Sequence, residues 1–266
     1  MPIAKVNGIH LYYEQHGQGD DLVLITGLSS HHTTWFQILG PLSEYFKVTI
    51  FDNRGSGQSS QPHEPYTAEL MAQDVAALME HLHIPSAFVA GHSMGGQILQ
   101  ALAVHFPEKV RAGAIMGSSL AFAKTAQMQF VTSTKLMMAG LSLELLLEVI
   151  FPWIFGSEFL RNPEKVNAEI QRIRHNPHPQ SPAGYQGQVH ALGVFDYSAQ
   201  ASRIMQPMLV LGGAEDLLSP PTHQVALNQI LPDSTLKLLD QCGHMIQREK
   251  PEACTQALIR FFKSIA

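Results

Sequence analysis

The chain has 266 residues, 45% hydrophobic and only 15% charged, which is the composition of a soluble globular protein long enough to bury a large core, not of a disordered scaffold. Its formal charge of −5, with 17 Lys and Arg against 22 Asp and Glu, lacks the cationic clusters that a phosphate backbone demands, so no nucleic-acid partner is expected. Two cysteines, Cys242 and Cys254, make neither a disulfide framework nor a multi-cysteine zinc site, and they point to a reducing compartment.

The amino-terminal stretch MPIAKVNGIHLYYEQHG alternates like a strand and lacks the basic-then-apolar pattern of a leader, so a cytoplasmic protein is expected. Within it, Asn7-Gly8 predicts a type I′ turn joining strands over Ala4–Val6 and Ile9–Tyr13. The pattern then changes to short apolar runs, at 22–25, 48–51, 87–90 and 112–116, of the kind buried on both faces of a parallel sheet. A helix is expected over 67–81, where Leu70, Met71, Val75, Leu78 and Met79 recur at helical spacing.

From about Ser118 to Met205 the alternation stops, and several helices separated by Pro152, Pro163, Pro177, Pro179 and Pro182 are expected. The longest apolar stretch, 136–155, predicts one buried or pocket-lining helix. Glu144, Glu148 and Pro152 interrupt it, so no stable membrane insertion is expected. The sheet pattern resumes at 208–211, followed by a helix near 222–230, a strand near 235–239 and a last helix over 251–263. This organisation predicts an α/β core formed by residues 1–117 and 206–266, interrupted once by a helical cap at 118–205.

The stretch AGHSMGGQ sets Ser93 between Gly91 and Gly95, directly after an apolar run. A serine on a sharp strand-to-helix turn needs small neighbours two positions either side, and the turn lifts its hydroxyl clear of the sheet. The next amide, that of Met94, then lies at a helix start, where unpaired N–H groups favour an oxyanion. Such a serine needs a base, and the base needs an acid. Asp216 follows the strand at 208–211 within GGAEDLLSP, and His244 follows the strand at 235–239 within DQCGHMIQREKPE. The order Ser93, Asp216, His244 is that of an α/β-hydrolase triad.

The pieces LVLITGLSSHHTTW, VTIFDNRGSGQSS, GHSMGG, MLVLGGAEDLLSP and CGHMIQREKP occur in one order, and through them the chain resembles the α/β-hydrolase superfamily over nearly its whole length. It is similar to the small-molecule esterases and lactonases, with 3-oxoadipate enol-lactonases nearest in the first half. The resemblance implies a mainly parallel eight-stranded sheet with helices on both faces, hydrolysis of a small carboxylic ester, lactone or thioester, and no cofactor. By position it assigns the second oxyanion amide to Leu28. Where the family has His-Gly, this chain has Thr26-Gly27, which puts the geometry of that loop in question. Serine at the elbow disfavours haloalkane dehalogenase and epoxide hydrolase chemistry.

Other residues receive plainer readings. Asp52 and Arg54 are expected to be structural, and Glu215 to point away from the base. The pairs His31-His32, His81-x-His83 and His175-x-x-His178 are not expected to hold a metal, since adjacent and i, i+2 residues do not share a helix face and no Cys or carboxylate pattern completes a site. Met128, Met138, Leu145 and Trp153 are candidate walls of an acyl pocket. Two alternatives stay open from sequence: a ligand receptor on an intact hydrolase scaffold, and a cofactor-free lyase or oxygenase. Oligomeric state leaves no mark in the sequence.

Overall fold

Buried strands alternate their side chains between two apolar layers, and the computed structural model, which describes residues 2–265, shows that division residue by residue. The strands are β1 (Ile3–Val6), β2 (Ile9–His16), β3 (Asp20–Ile25), β4 (Phe46–Phe51), β5 (Ala87–His92), β6 (Val110–Met116), β7 (Met208–Gly213) and β8 (Ser234–Leu239). The helices are α1 (Phe36–Ser43), α2 (Ala68–His81), α3 (Met94–His105), α4 (Lys124–Met138), α5 (Leu143–Ile154), α6 (Ser157–Leu160), α7 (Pro163–Arg174), α8 (Pro182–Val194), α9 (Pro221–Ile230), α10 (Ile246–Glu249) and α11 (Pro251–Ile265). In β3, Val23 and Ile25 face the layer that contains Val75, Ile98 and Leu227 of α2, α3 and α9. Leu22 and Leu24 face the other, with Ile38 of α1 and Leu258 and Phe262 of α11.

The sheet order is β1-β2-β4-β3-β5-β6-β7-β8. The first two strands pair antiparallel, β2 joins β4 antiparallel, and every later pairing is parallel. The hairpin turn has φ of 47° at Asn7 and 77° at Gly8, the conformation that Asn-Gly favours. Helix α2 begins where Thr67 caps it by accepting the Leu70 N–H at 3.1 Å.

The chain order reverses at β3. From there it steps to β4 on one side, and β5 lies against β3 on the other. Helix α1 packs on one face and α3 on the opposite one, so β3 and β5 mark the switch point of the sheet, whose carboxyl end is where open α/β sheets bind their ligands.

Between β6 and β7 the chain leaves the sheet for α4 to α8. The apolar stretch 136–155 is two helices, not one. It breaks at Gly140, whose φ of 76° ends the first helix, and Ser142 then caps the second by accepting the Leu145 N–H. Helices α4 and α8 bury Ala126, Phe130, Ala191 and Leu192 in the main core, while Leu147, Phe151, Phe155, Phe159 and Met245 form a small cluster of their own. Among the described residues no helix is long and apolar enough to cross a membrane.

Candidate active site

Ser93 ends β5 with φ 57° and ψ −118°, a backbone conformation that costs a residue with a Cβ about 1 to 3 kcal/mol and persists only when its surroundings impose it. The surroundings are backbone. A Cβ on Gly91 would stand 2.1 Å from the Gly95 carbonyl oxygen, and one on Gly95 would stand 2.1 Å from the Ile25 carbonyl oxygen. The two glycines thus allow strand, turn and helix to close on one another, and Met94 becomes the first residue of α3. The β3 loop runs alongside, since a Cβ on Gly27 would lie 2.9 Å from Cβ of Ser93. Leu28 follows, half-buried.

Asp216 leaves β7 and His244 leaves β8, and both are buried. Nδ1 of His244 is 2.8 Å from Oδ2 of Asp216. The other carboxylate oxygen accepts the N–H groups of Leu218 and Ser219, each at 2.9 Å, so the acid is anchored to its own loop. His244 meets the serine turn through His92, whose ring lies 4.9 Å from its own and whose Nε2 donates to the His244 carbonyl at 2.9 Å. Burial, reinforced by the neighbouring His244 ring, pushes His92 down to about 3, so it stays neutral as a strut. The structure thus sets Asp216 against His244, and His244 against His92, the chain neighbour of Ser93.

Two carboxylates give the loops of Asp216 and His244 further support; the sequence marked Glu215 only as pointing away from the base, and Glu249 not at all. Glu249, buried in α10, accepts the N–H of Gly243 at 3.0 Å and that of Gly156 at 2.8 Å. Burial pushes its carboxyl up, against the pull of those N–H groups. Glu215 turns away from His244 and accepts from the Ser157 N–H at 2.6 Å and the Ser157 hydroxyl at 3.0 Å, bonds that hold its carboxyl below the usual range. The N–H groups of His244 and Met245 both donate to the Ile154 carbonyl, at 3.0 and 3.1 Å. The segment 154–157 of the inserted helices is therefore bonded to the loops of both Asp216 and His244. The sequence signal, such as it is, lies in spacing: Glu215 adjoins Asp216, and Glu249 follows His244 by one helical turn.

Arg54 forks onto Asp74 at 2.5 and 2.7 Å, both side chains buried, and Asp52 accepts from the His32 N–H, the His32 ring and the Gln58 N–H. His31, His32 and Asp52 bring one potential ligand atom each within 4.8 Å of one another, a grouping that the spacing argument did not anticipate. The Asp52 oxygens in it are already occupied by these donors. Cys242 is fully buried.

The candidate pocket walls separate. Met128, Met138 and Leu145 are 60%, 64% and 49% exposed, contrary to expectation, whereas Trp153 is half-buried against the main core. The reason is helical phase. In α4 the inward stripe is Ala126, Phe130 and Ser133, and in α5 it is Leu146, Leu147 and Phe151, which turns the three named residues outward. Met128 lines a groove of about 520 Å³ between α4 and α8, together with Lys124, Val131, Lys135 and Val194.

Residues 21–251 match the family model described as alpha/beta hydrolase fold. The chain belongs to that family. This hydrolase is 29% identical over 252 residues to 3-oxoadipate enol-lactonase 2 of Acinetobacter baylyi, covering 94% of this chain and 92% of that one. It is also 29% identical, over 261 residues, to a Mycobacterium tuberculosis H37Rv protein provisionally named non-heme bromoperoxidase BpoC, covering 97% and 99% of the two chains. Among solved structures, the enol-lactonase of Burkholderia xenovorans LB400 superposes with a TM-score of 0.88 at 26% identity, over 98% of this chain and all of that one.

Proposed function

We propose that this hydrolase cleaves a small carboxylic ester, lactone or thioester through an acyl-enzyme on Ser93. The observation that carries the reading is the strained serine at the start of α3, whose chain neighbour His92 packs on a histidine with its Nδ1 hydrogen-bonded to a buried aspartate. Nε2 of His244 takes the hydroxyl proton as Ser93 attacks the acyl carbon. The bond to Asp216 orients the ring and stabilises its charged form. The amides of Leu28 and Met94 hold the tetrahedral oxyanion. Collapse passes the proton to the leaving alcohol or thiol, and a water deprotonated by His244 then releases the acid and regenerates Ser93.

The substrate that fits best is uncharged in its acyl part. Of the cations in the inserted helices, Arg172 is paired with the buried Glu169 and Arg174 with Glu144, while Lys124, Lys135, Arg161 and Lys165 are exposed. An enol-lactone bearing a carboxylate, as the name of the Acinetobacter relative implies, would have to recruit one of these. We assign residues 118–205 the role of a cap, with Trp153 as a wall of the acyl pocket, since it precedes the Ile154 carbonyl that holds His244. Two buried free thiols, Cys242 and Cys254, support a cytoplasmic location.

The test is a screen of p-nitrophenyl esters and lactones by acyl length, with intact-mass analysis of the trapped enzyme. An acyl adduct on Ser93 and many turnovers are expected. One modification without turnover would instead favour the receptor reading. Trp153→Ala should reorder the acyl preference and Met138→Ala should leave it unchanged.

A further inference from the structure

The inserted helix α8 sends one buried amide to the far side of the site. Gln188 is fully buried; its Oε1 accepts the Ser29 N–H at 3.1 Å, and its Nε2 donates to the Arg54 carbonyl at 2.9 Å. Gln180 braces it, with Nε2 donating to the same Oε1 at 2.9 Å and to the Gly55 carbonyl at 2.7 Å. The helix approaches this closely because it presents Gly184, where a Cβ would stand 2.3 Å from the Gly55 carbonyl oxygen.

What Gln188 grips is the loop that carries the Leu28 amide. Ser29 has φ 57°, a left-handed conformation that a serine holds only under constraint. On the other side of Leu28, Asn53 Nδ2 donates to the Thr26 carbonyl at 2.9 Å and lies 3.1 Å from its hydroxyl. The Leu28 N–H thus sits between two pinned groups, one held from the core and one from the insertion. Oxyanion donors work by being aimed beforehand, so whatever fixes this short loop contributes to the rate.

We propose that Gln188 is a positioning residue for the Leu28 oxyanion amide, holding the strained Ser29 turn in a loop where Thr26 replaces the family's histidine. The proposal rests on the serine reading above. Gln188→Met keeps the volume and removes both bonds. With sites counted by a fluorophosphonate adduct on Ser93, kcat per site should fall about ten- to fifty-fold, a part of the loss that follows outright removal of an oxyanion donor. KM should stay within about threefold, and the inhibition constant of an alkylboronic acid, which forms a tetrahedral adduct on serine, should rise by the factor that kcat falls. A merely structural role would lower the melting temperature yet leave both readouts within about twofold of wild type, and that result overturns the proposal.

If Gln188→Met does not fold, Gln188→Glu carries the test. Its carboxylate still accepts from Ser29 but cannot donate to Arg54, so kcat should drop about three- to tenfold at unchanged KM, and an unaltered kcat refutes the role. Absence of a Ser93 adduct in the wild-type protein would sink the serine reading itself, a failure separate from one confined to Gln188.

Discussion

Close-packed backbone holds the turn of Ser93, whereas hydrogen bonds to the inserted helices tie down the loops of Asp216 and His244. The serine turn is closed by Gly91 and Gly95 packed against the Ile25 carbonyl, all within two adjacent strands and one helix. The loops of Asp216 and His244 depend on Glu215, Glu249 and the Ile154 carbonyl, and so on residues 154–157 of the insertion. A site built this way has one half that tolerates no substitution and another that loosens by degrees.

The largest effect should follow from breaking the backbone half. Gly95→Ala puts a methyl group 2.1 Å from a main-chain oxygen that cannot move without moving β3, so loss of soluble, folded protein is expected, a cost above about 4 kcal/mol. A folded Gly95→Ala with normal far-UV circular dichroism would refute the account of the elbow. Asp216→Asn should leave the fold intact and lower kcat by about four decades, because the imidazole loses the partner that fixes its tautomer. Glu215→Gln should cost far less, and the reverse ranking in steady-state kinetics would reassign the acid.

Glu249→Ala sharpens the comparison from the other half. It strips an acceptor from the buried Gly243 and Gly156 N–H groups, and two unsatisfied donors cost about 2 to 4 kcal/mol. Urea unfolding measures that loss, and hydrogen exchange should locate it at 154–157 and 242–246 while β5 stays protected. Uniform loss of protection would mean that the two halves are one cooperative unit.

Acid gives the smallest effect. Burial pushes His31 down to about 4, against the pull of Asp52, and His92 down to about 3. A histidine whose folded value is depressed is neutral in the fold when the unfolded chain already binds a proton. Its contribution is complete above the ordinary value of 6.5 and is lost as pH falls toward the folded value. Stability should therefore fall between pH 7 and 5, and His92→Gln should flatten that slope by up to one proton. A stability that stays flat over this range would contradict the buried neutral state of both.

The sequence was most legible where chemistry is local. The elbow and the hairpin at Asn7-Gly8 depend on residues a few positions apart, and each is found where its pattern lies. The loops of Asp216 and His244 were legible through strand order. Gln188 and Glu249 were not, because a glutamine in a helix and a glutamate one turn after a histidine look like surface residues until the fold buries them beside distant N–H groups. The exposed Met128, Met138 and Leu145 show the same limit: composition marks a stretch as apolar, but the face that α4 and α5 turn inward is set by what they pack against.

The insertion departs after β6, and the Tyr197 N–H donates to the Leu120 carbonyl at 2.9 Å, closing the excursion before the chain crosses to β7. Its two ends are therefore neighbours, and the excursion resembles a cassette plugged into a sheet that closes beneath it. Closure entropy rises by only about 0.6 kcal/mol for each doubling of loop length, so chains with longer or shorter excursions here can share one sheet at little cost. What such an exchange must carry with it is small: a carbonyl, two N–H groups and a hydroxyl for the loops of His244 and Asp216, and one buried side-chain amide for the loop of Leu28.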